Sequence, residues 1–184
     1  MIWGAIMRYR RAFIEGATYF FTVNLADRSE HLLVERIDDL RGAVRRVRLA
    51  HSFDIVAWTV LPDHLHAVWR LPDSDADYSL RWGLIKAEFS RRIPRNERIG
   101  PSRRAKGERG IWQRRFWEHL IRDEADLQRH VDYTHYNSVK HGHVRRVADW
   151  PYSSFHRDVK LGLVESDWAC GEDFDAGFGE RGEV

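Results

Sequence analysis

Apolar positions recur along the chain at two spacings, and the alternation between them predicts most of its elements. Thr18–Leu25 (TYFFTVNL) is a run of aromatic and β-branched residues, the composition of a strand. From Ser29 or Glu30 to about Leu49 the spacing changes. Leu32, Leu33, Ile37, Leu40, Val44 and Val47 return at helical intervals, and the polar face carries Arg41, Arg45, Arg46 and Arg48. Phe53–Leu61 (FDIVAWTVL) reverts to strand composition. Leu61-Pro62-Asp63 reads as a turn, and His64–Leu71 (HLHAVWRL) as a third strand hairpin-paired with the second. Ser79–Ile93 is a second helix with Leu80, Leu84, Ile85 and Phe89 on its apolar stripe. Residues 94–110 break the pattern with two prolines, three glycines and six Arg/Lys, which predicts a mobile basic loop. Ile111–Arg122 contains a fourth strand. Glu124–His141 is a third helix ended by Gly142 at its C-cap, and Tyr152–Leu161 forms a short helix after Trp150-Pro151.

The order strand, helix, strand, strand, helix, strand, helix predicts an α+β fold of the split βαβ, ferredoxin-like kind. One antiparallel sheet would carry helices on one face and leave the other free for a site. The 184 residues suffice for one domain and are short for two. We assign 1–164 to that domain, with a C-terminal extension from about 143, and 165–184 to a tail. The 43% hydrophobic and 32% charged shares exclude a generally disordered chain. No apolar run approaches the roughly 20 residues of a membrane span. Met1–Arg11 is apolar first and basic second, the reverse of a secretory signal, so a cytoplasmic protein without a membrane partner is expected. The single Cys170 excludes an intrachain disulfide and a multi-cysteine zinc site. The net charge of +2 is unevenly spread. Seven acids and one base from Glu165 onward make −6, which leaves +8 for residues 1–164. A basic body suits a polyanionic partner.

Three groups of residues could carry chemistry. In His64-Leu65-His66, residues i and i+2 of a strand share a face roughly 6–7 Å apart, and two imidazoles at that spacing can share a divalent ion. Leu65, Ala67, Trp69 and Leu71 would face the helices instead. An isolated pair of this kind is more often two surface histidines. In HVDYTHYN, Tyr133 and Asn137 lie four apart on one helix face; a tyrosine can attack phosphorus, and an amide oxygen suits Mg²⁺ or Mn²⁺. Tyr136 is a rival about 60° round the helix. A core tyrosine is the bland alternative. Third, Arg8, Arg10, Arg11, Arg91, Arg92, Arg103, Arg104, Arg114 and Arg115 form basic clusters able to meet phosphates. Of eight tryptophans, most belong to the core and one or two could stack unpaired bases. His119 and His130 could approach the site, whereas His135 lies on the other side of its helix.

Together and in this order the motifs resemble a known family. LPDHLHAVWRLP is similar to the His-hydrophobe-His (HUH) motif of single-tyrosine HUH transposases. GIWQRRFWEHLIRDEADLQRHVDYTHYNSVKHG, followed by DWPYSSFHRDV, resembles the REP-associated tyrosine transposases. The resemblance runs from about Arg8 to Trp168. It implies the HUH version of the ferredoxin-like sheet, with His64, His66 and Asn137 as ligands of Mg²⁺ or Mn²⁺ and Tyr133 as nucleophile on a helix beside the site. It implies single-stranded and hairpin DNA substrates of the repetitive extragenic palindromic type, each with an unpaired tetranucleotide at its foot, and a bacterial, nucleoid-associated location. Where the family has Asn-Pro this chain has Asn137-Ser138, and residues 94–110 are longer than in compact members.

The expected reaction is cleavage through a 5′-phosphotyrosine on Tyr133 that leaves a free 3′-OH, by a monomer that needs no nucleotide cofactor. No P-loop sequence is present. Two rivals remain open: a hairpin-binding regulator that does not cut, and a metal-dependent nuclease that uses water.

Overall fold

A computed structural model describes residues 12–95 and 99–170. In chain order the elements are β1 (Thr18–Asn24), α1 (Leu32–Glu35), α2 (Ile37–Ala50), β2 (Asp54–Val60), β3 (His64–Arg70), α3 (Tyr78–Arg92), α4 (Pro101–Arg104), β4 (Trp117–Leu120), α5 (Glu124–Lys140) and α6 (Phe155–Lys160). The four strands form one antiparallel sheet in the order β2-β3-β1-β4. This is the α+β, ferredoxin-like arrangement that the sequence predicts.

Alternation along each strand sorts side chains onto two faces. Tyr19, Phe21 and Val23 of β1 join Leu65, Ala67 and Trp69 of β3 in the main core. There α2 contributes Leu40, Ala43, Val44 and Val47, and α3 contributes Tyr78, Trp82, Ile85 and Phe89. The stripe of α3 therefore turns on Trp82, while Leu80, expected inside, is exposed. The opposite face is not bare. Phe20, Ala57 and Val68 are apolar there and need cover, which α5 supplies through Tyr133, Leu127 and Val131. That helix lies chiefly over β2 and β3 and leaves β4 less covered.

Three local departures from the predicted pattern matter. The single helix expected from Ser29 or Glu30 to Leu49 is two, because Arg36 leaves helical geometry (φ −115°, ψ 34°). The Leu33 N–H of α1 is instead bonded to the Pro62 carbonyl of the β2–β3 turn at 3.1 Å. Within the expected basic loop stands α4, and two of the loop's arginines turn inward: Arg103 donates to the Trp112 carbonyl, and Arg109 to those of Ile93 and Pro94. The chain beyond α5 returns to the sheet. Gly142 (φ 72°) takes the left-handed conformation that glycine tolerates, and the N–H groups of Gly142 and His143 cap the carbonyls of Val139 and Ser138. Residues 152–154 then pair along the outer edge of β2, with Val60 N–H to Tyr152 O, Ser154 N–H to Trp58 O and a bridge between Thr59 and Ser153. A buried His135 on α5 anchors this segment through Ser154 (3.1 Å) and Asp158 (3.3 Å). Burial opposes the ionised form of Asp158, but hydrogen bonds from His135 and Arg157 outweigh it and lower its pKa.

Candidate active site

The histidine face is built in rows across the strands. One row reads Thr59, His66, Thr22, Trp117, and the next reads Ala57, Val68, Phe20, His119. His64 and His66 are both buried, their ring centroids 5.0 Å apart and nearly perpendicular. The Nδ1 of His66 meets the Thr22 hydroxyl at 3.0 Å, and the Nδ1 of His64 meets the Asp63 carboxylate at 2.7 Å. A carboxylate can only accept, so His64 donates from Nδ1 and presents Nε2 as a lone-pair donor. Asp63 is itself paired with Arg28, which also donates to Asn24 at 3.2 Å. Burial disfavours the Asp63 carboxylate, yet the hydrogen bonds and charges of His64 and Arg28 win and hold its pKa well below the ordinary range.

His66 is held neutral. Burial is the main cause, the neighbouring imidazoles of His64 and His141 and the Lys140 ammonium act in the same direction, and the adjacent Asn137 side chain works the other way. A neutral imidazole is the form that ligates a metal.

Helix α5 brings the second half of the site. An N-cap starts it, Asp123 accepting from the Asp126 N–H at 2.8 Å. The Tyr133 ring lies edge-on to His66 (centroids 5.3 Å) and to Phe20 (5.7 Å). Its hydroxyl accepts from Lys140 Nζ at 3.0 Å, and the same ammonium stands 4.6 Å from the ring centre. Asn137, one turn on, donates to the Tyr133 carbonyl at 3.0 Å. Its Oδ1 is buried and, among the described residues, makes no hydrogen bond. An orphaned amide oxygen is costly unless something else claims it.

Sequence reasoning named Tyr133, His64, His66 and Asn137, and all four converge. It missed His141. Ligand atoms of His64, His66 and His141 lie within 4.8 Å of one another, and the His64 and His141 rings are 4.9 Å apart. His141 sits at the C-cap of α5, four residues beyond Asn137, so the helical period extends one turn further than the motif that was read. Arg28, Thr22 and Lys140 were likewise missed. Three imidazoles, with a buried amide oxygen beside them, form a group that could hold a metal ion.

A second group gathers across Phe20 from His66. His119 Nε2 donates to Asp126 at 2.9 Å, and His130 Nδ1 lies 3.2 Å from the other carboxylate oxygen. Burial is the first cause of a lowered His130 pKa.

The basic clusters divide. Arg8, Arg10 and Arg11 lie outside the described residues, as does the tail beyond Cys170. Arg91 and Arg92 end α3 on the helical layer behind the sheet, paired with Glu88 and Asp39, and do not join the histidines. Arg103 and Arg104 belong to α4, and Arg114 pairs with Glu108 at 2.8 Å. Arg115 is exposed just before β4. Among the described residues no helix is long and apolar enough to cross a membrane.

Comparison with known proteins gives a consistent result. No family model matches the sequence. A REP-associated tyrosine transposase of Escherichia coli K12 is 47% identical over 173 residues, which cover 94% of this chain and 96% of its own. A Haemophilus influenzae protein of the same designation is 47% identical over 166 residues, 90% of this chain and 94% of its own. A solved REP-associated tyrosine transposase bound to a REP hairpin superposes with a TM-score of 0.78 at 47% identity, covering 96% of this chain and 98% of that one.

Proposed function

The chain belongs to the REP-associated tyrosine transposases, a family of transposase-type enzymes, and from that premise we propose that it nicks and rejoins DNA at repetitive extragenic palindromic hairpins through a covalent tyrosine intermediate. The observation that carries this reading is the seating of Tyr133 against His66 on the helix that also holds Asn137. Nucleophile and ligands are thereby positioned by two packed elements.

His64, His66 and Asn137 would hold a divalent cation, with His141 as a further donor. When bound, such an ion polarises the scissile phosphate and offsets charge on its oxygens. Around it the protein's own groups divide the work. Asp63 and Thr22 fix the two imidazoles through their Nδ1 atoms. Lys140 donates to the Tyr133 oxygen and stabilises negative charge there as the phenolic proton departs to solvent. That oxygen attacks phosphorus in line and the P–O3′ bond breaks. The leaving strand takes up a proton to end in a 3′-OH, and the 5′ side remains on Tyr133 as a phosphodiester. Attack on that ester by a DNA 3′-OH reverses the chemistry and joins strands, so no nucleotide cofactor is required.

The test is incubation of the protein with labelled hairpin DNA, carrying an unpaired foot, in Mn²⁺, followed by a denaturing gel. The parent and Tyr136→Phe should form a protein–DNA adduct that Tyr133→Phe lacks. Cutting by Tyr133→Phe with a free 5′-phosphate would establish water as nucleophile. Binding without cutting by the parent would establish a regulator.

A further inference from the structure

The tryptophans of this chain have almost all been accounted for by packing. Trp3 lies outside the described residues. Trp58 and Trp69 of the sheet stack with Trp82 of α3 in the main core, with centroids 4.1 Å apart for Trp69 and Trp82 and 5.9 Å for Trp58 and Trp82. Trp112 packs on Phe89. Trp150 is tied to the Val60 carbonyl through its indole N–H at 2.9 Å, and Trp168 rests on Phe155 and His135. Trp117 differs. It is the one described tryptophan whose ring joins the cluster on the histidine face, and it is partly exposed.

Its position follows from the register. Thr22 pairs with His66 on one side and with Trp117 on the other, so all three share a row and a face. Two inter-strand steps separate His66 from Trp117, roughly 10 Å between their Cα atoms. That is the reach from a phosphate held at the histidines to the base of a neighbouring nucleotide. β4 is an edge strand, and α5 lies chiefly over the other half of the sheet.

The indole is also held still. Phe20 meets it edge-on at 5.5 Å. His119 lies nearly parallel to it (6.0 Å, 17°), and His130 lies parallel to His119 (4.5 Å, 14°). Asp126 meets both imidazoles, His119 Nε2 through its carboxylate at 2.9 Å and His130 Nδ1 through its backbone carbonyl at 2.8 Å. A fixed, partly exposed aromatic ring beside a site for phosphate is what an unpaired base stacks upon.

We propose that Trp117 is a stacking platform for the unpaired nucleobase next to the scissile phosphate, an inference that rests on the DNA-cutting reading given above. The Trp117–His119–His130 column and Asp126 position it. Stacking is tolerant of base identity, so the platform sets where the strand lies rather than which base it carries.

Binding measured without metal tests this apart from cutting. Hairpins with a four-nucleotide foot of mixed sequence, each with one abasic position, are titrated against the parent, Trp117→Ala and Trp117→Phe by fluorescence anisotropy. In the parent one abasic position should weaken binding about tenfold or more. Trp117→Ala should bind the intact foot that much more weakly and be indifferent to the abasic change at that position. Trp117→Phe should retain most of the affinity. The dependence of binding on salt should be the same in all three, because no phosphate contact is altered. A parent with no sensitive position overturns the platform. So does Trp117→Ala if its loss simply multiplies with the abasic loss, or if Trp117→Phe is as weak as Trp117→Ala. A parent with the expected binding pattern that forms no adduct in Mn²⁺ keeps the platform and loses the nucleophile.

Discussion

The two faces of one sheet are made from alternate residues of the same strands, and they are built on opposite terms. Behind, Tyr19, Phe21, Leu65, Ala67 and Trp69 are wholly buried among aliphatic and aromatic side chains of α2 and α3. In front, Thr22, Thr59, His64 and His66 are just as buried but polar, and α5 adds Asn137 with an orphaned oxygen. The rear face stabilises by removing apolar surface from water. The front face gives up part of that gain to hold polar groups in place. A chain can tolerate this arrangement only because the first face is so thoroughly packed.

Neighbouring residues of β3 allow the contrast to be broken one side at a time. Mn²⁺ should raise the melting temperature of the parent, and His66→Ala should abolish both that rise and adduct formation while changing the stability of the metal-free protein far less than Leu65→Ala does. Calorimetry with and without Mn²⁺ reads both. Leu65→Ala should cost about 2–5 kcal/mol in urea unfolding and leave cleavage per folded molecule intact. Equal stability losses for the two would erase the distinction between the faces.

Smaller effects refine the front face. Asp63→Asn removes the anionic partner of His64 and should weaken Mn²⁺ binding about 10- to 100-fold, measured by titration calorimetry. Lys140→Ala takes a charged donor from the Tyr133 oxygen, and adduct formation in single turnover should slow by about tenfold or more. The smallest effect is on pH dependence. His130 and His66 have lowered pKa values in the folded protein, with burial the largest cause of each. Below about pH 6.5 the unfolded chain binds protons that the native state refuses, so the metal-free protein should lose stability as pH falls from neutrality. His130→Gln should flatten part of that slope in urea unfolding at pH 7 and 5, and an unchanged slope would dissociate His130 from it.

Periodicity made much of this legible. The two-residue alternation of β3 put His64 and His66 on one face with Leu65 on the other, and the four-residue spacing put Tyr133 with Asn137. What periodicity cannot reach is contact between distant elements. Arg28 follows β1, and its pairing with Asp63 depends on how the chain turns after Asn24. The sequence carries the helix through His141, but its spacing does not say which residues of the last turn meet the histidine strand, so His141 and Lys140 went unnamed as site residues. Charge was the poorest guide. Composition grouped Arg91 with Arg114, yet one ends a helix behind the sheet and the other precedes β4, each already paired with an acid. The fold also placed a helix on the face expected to be open, since Phe20 and Val68 needed cover as much as Phe21 and Trp69 did.

The division of the site between the β2–β3 hairpin and α5 has a consequence for the cell that makes the protein. During synthesis the histidine pair emerges long before the tyrosine, and on the proposed mechanism neither half would cut alone. Tyr133 acquires its position only when α5 closes over β2 and β3, a long-range contact that forms with the native sheet. On that mechanism, a nascent, misfolded or proteolysed chain that retains the hairpin would be harmless to the genome. On the proposed mechanism, the enzyme is armed only by completing its own folding.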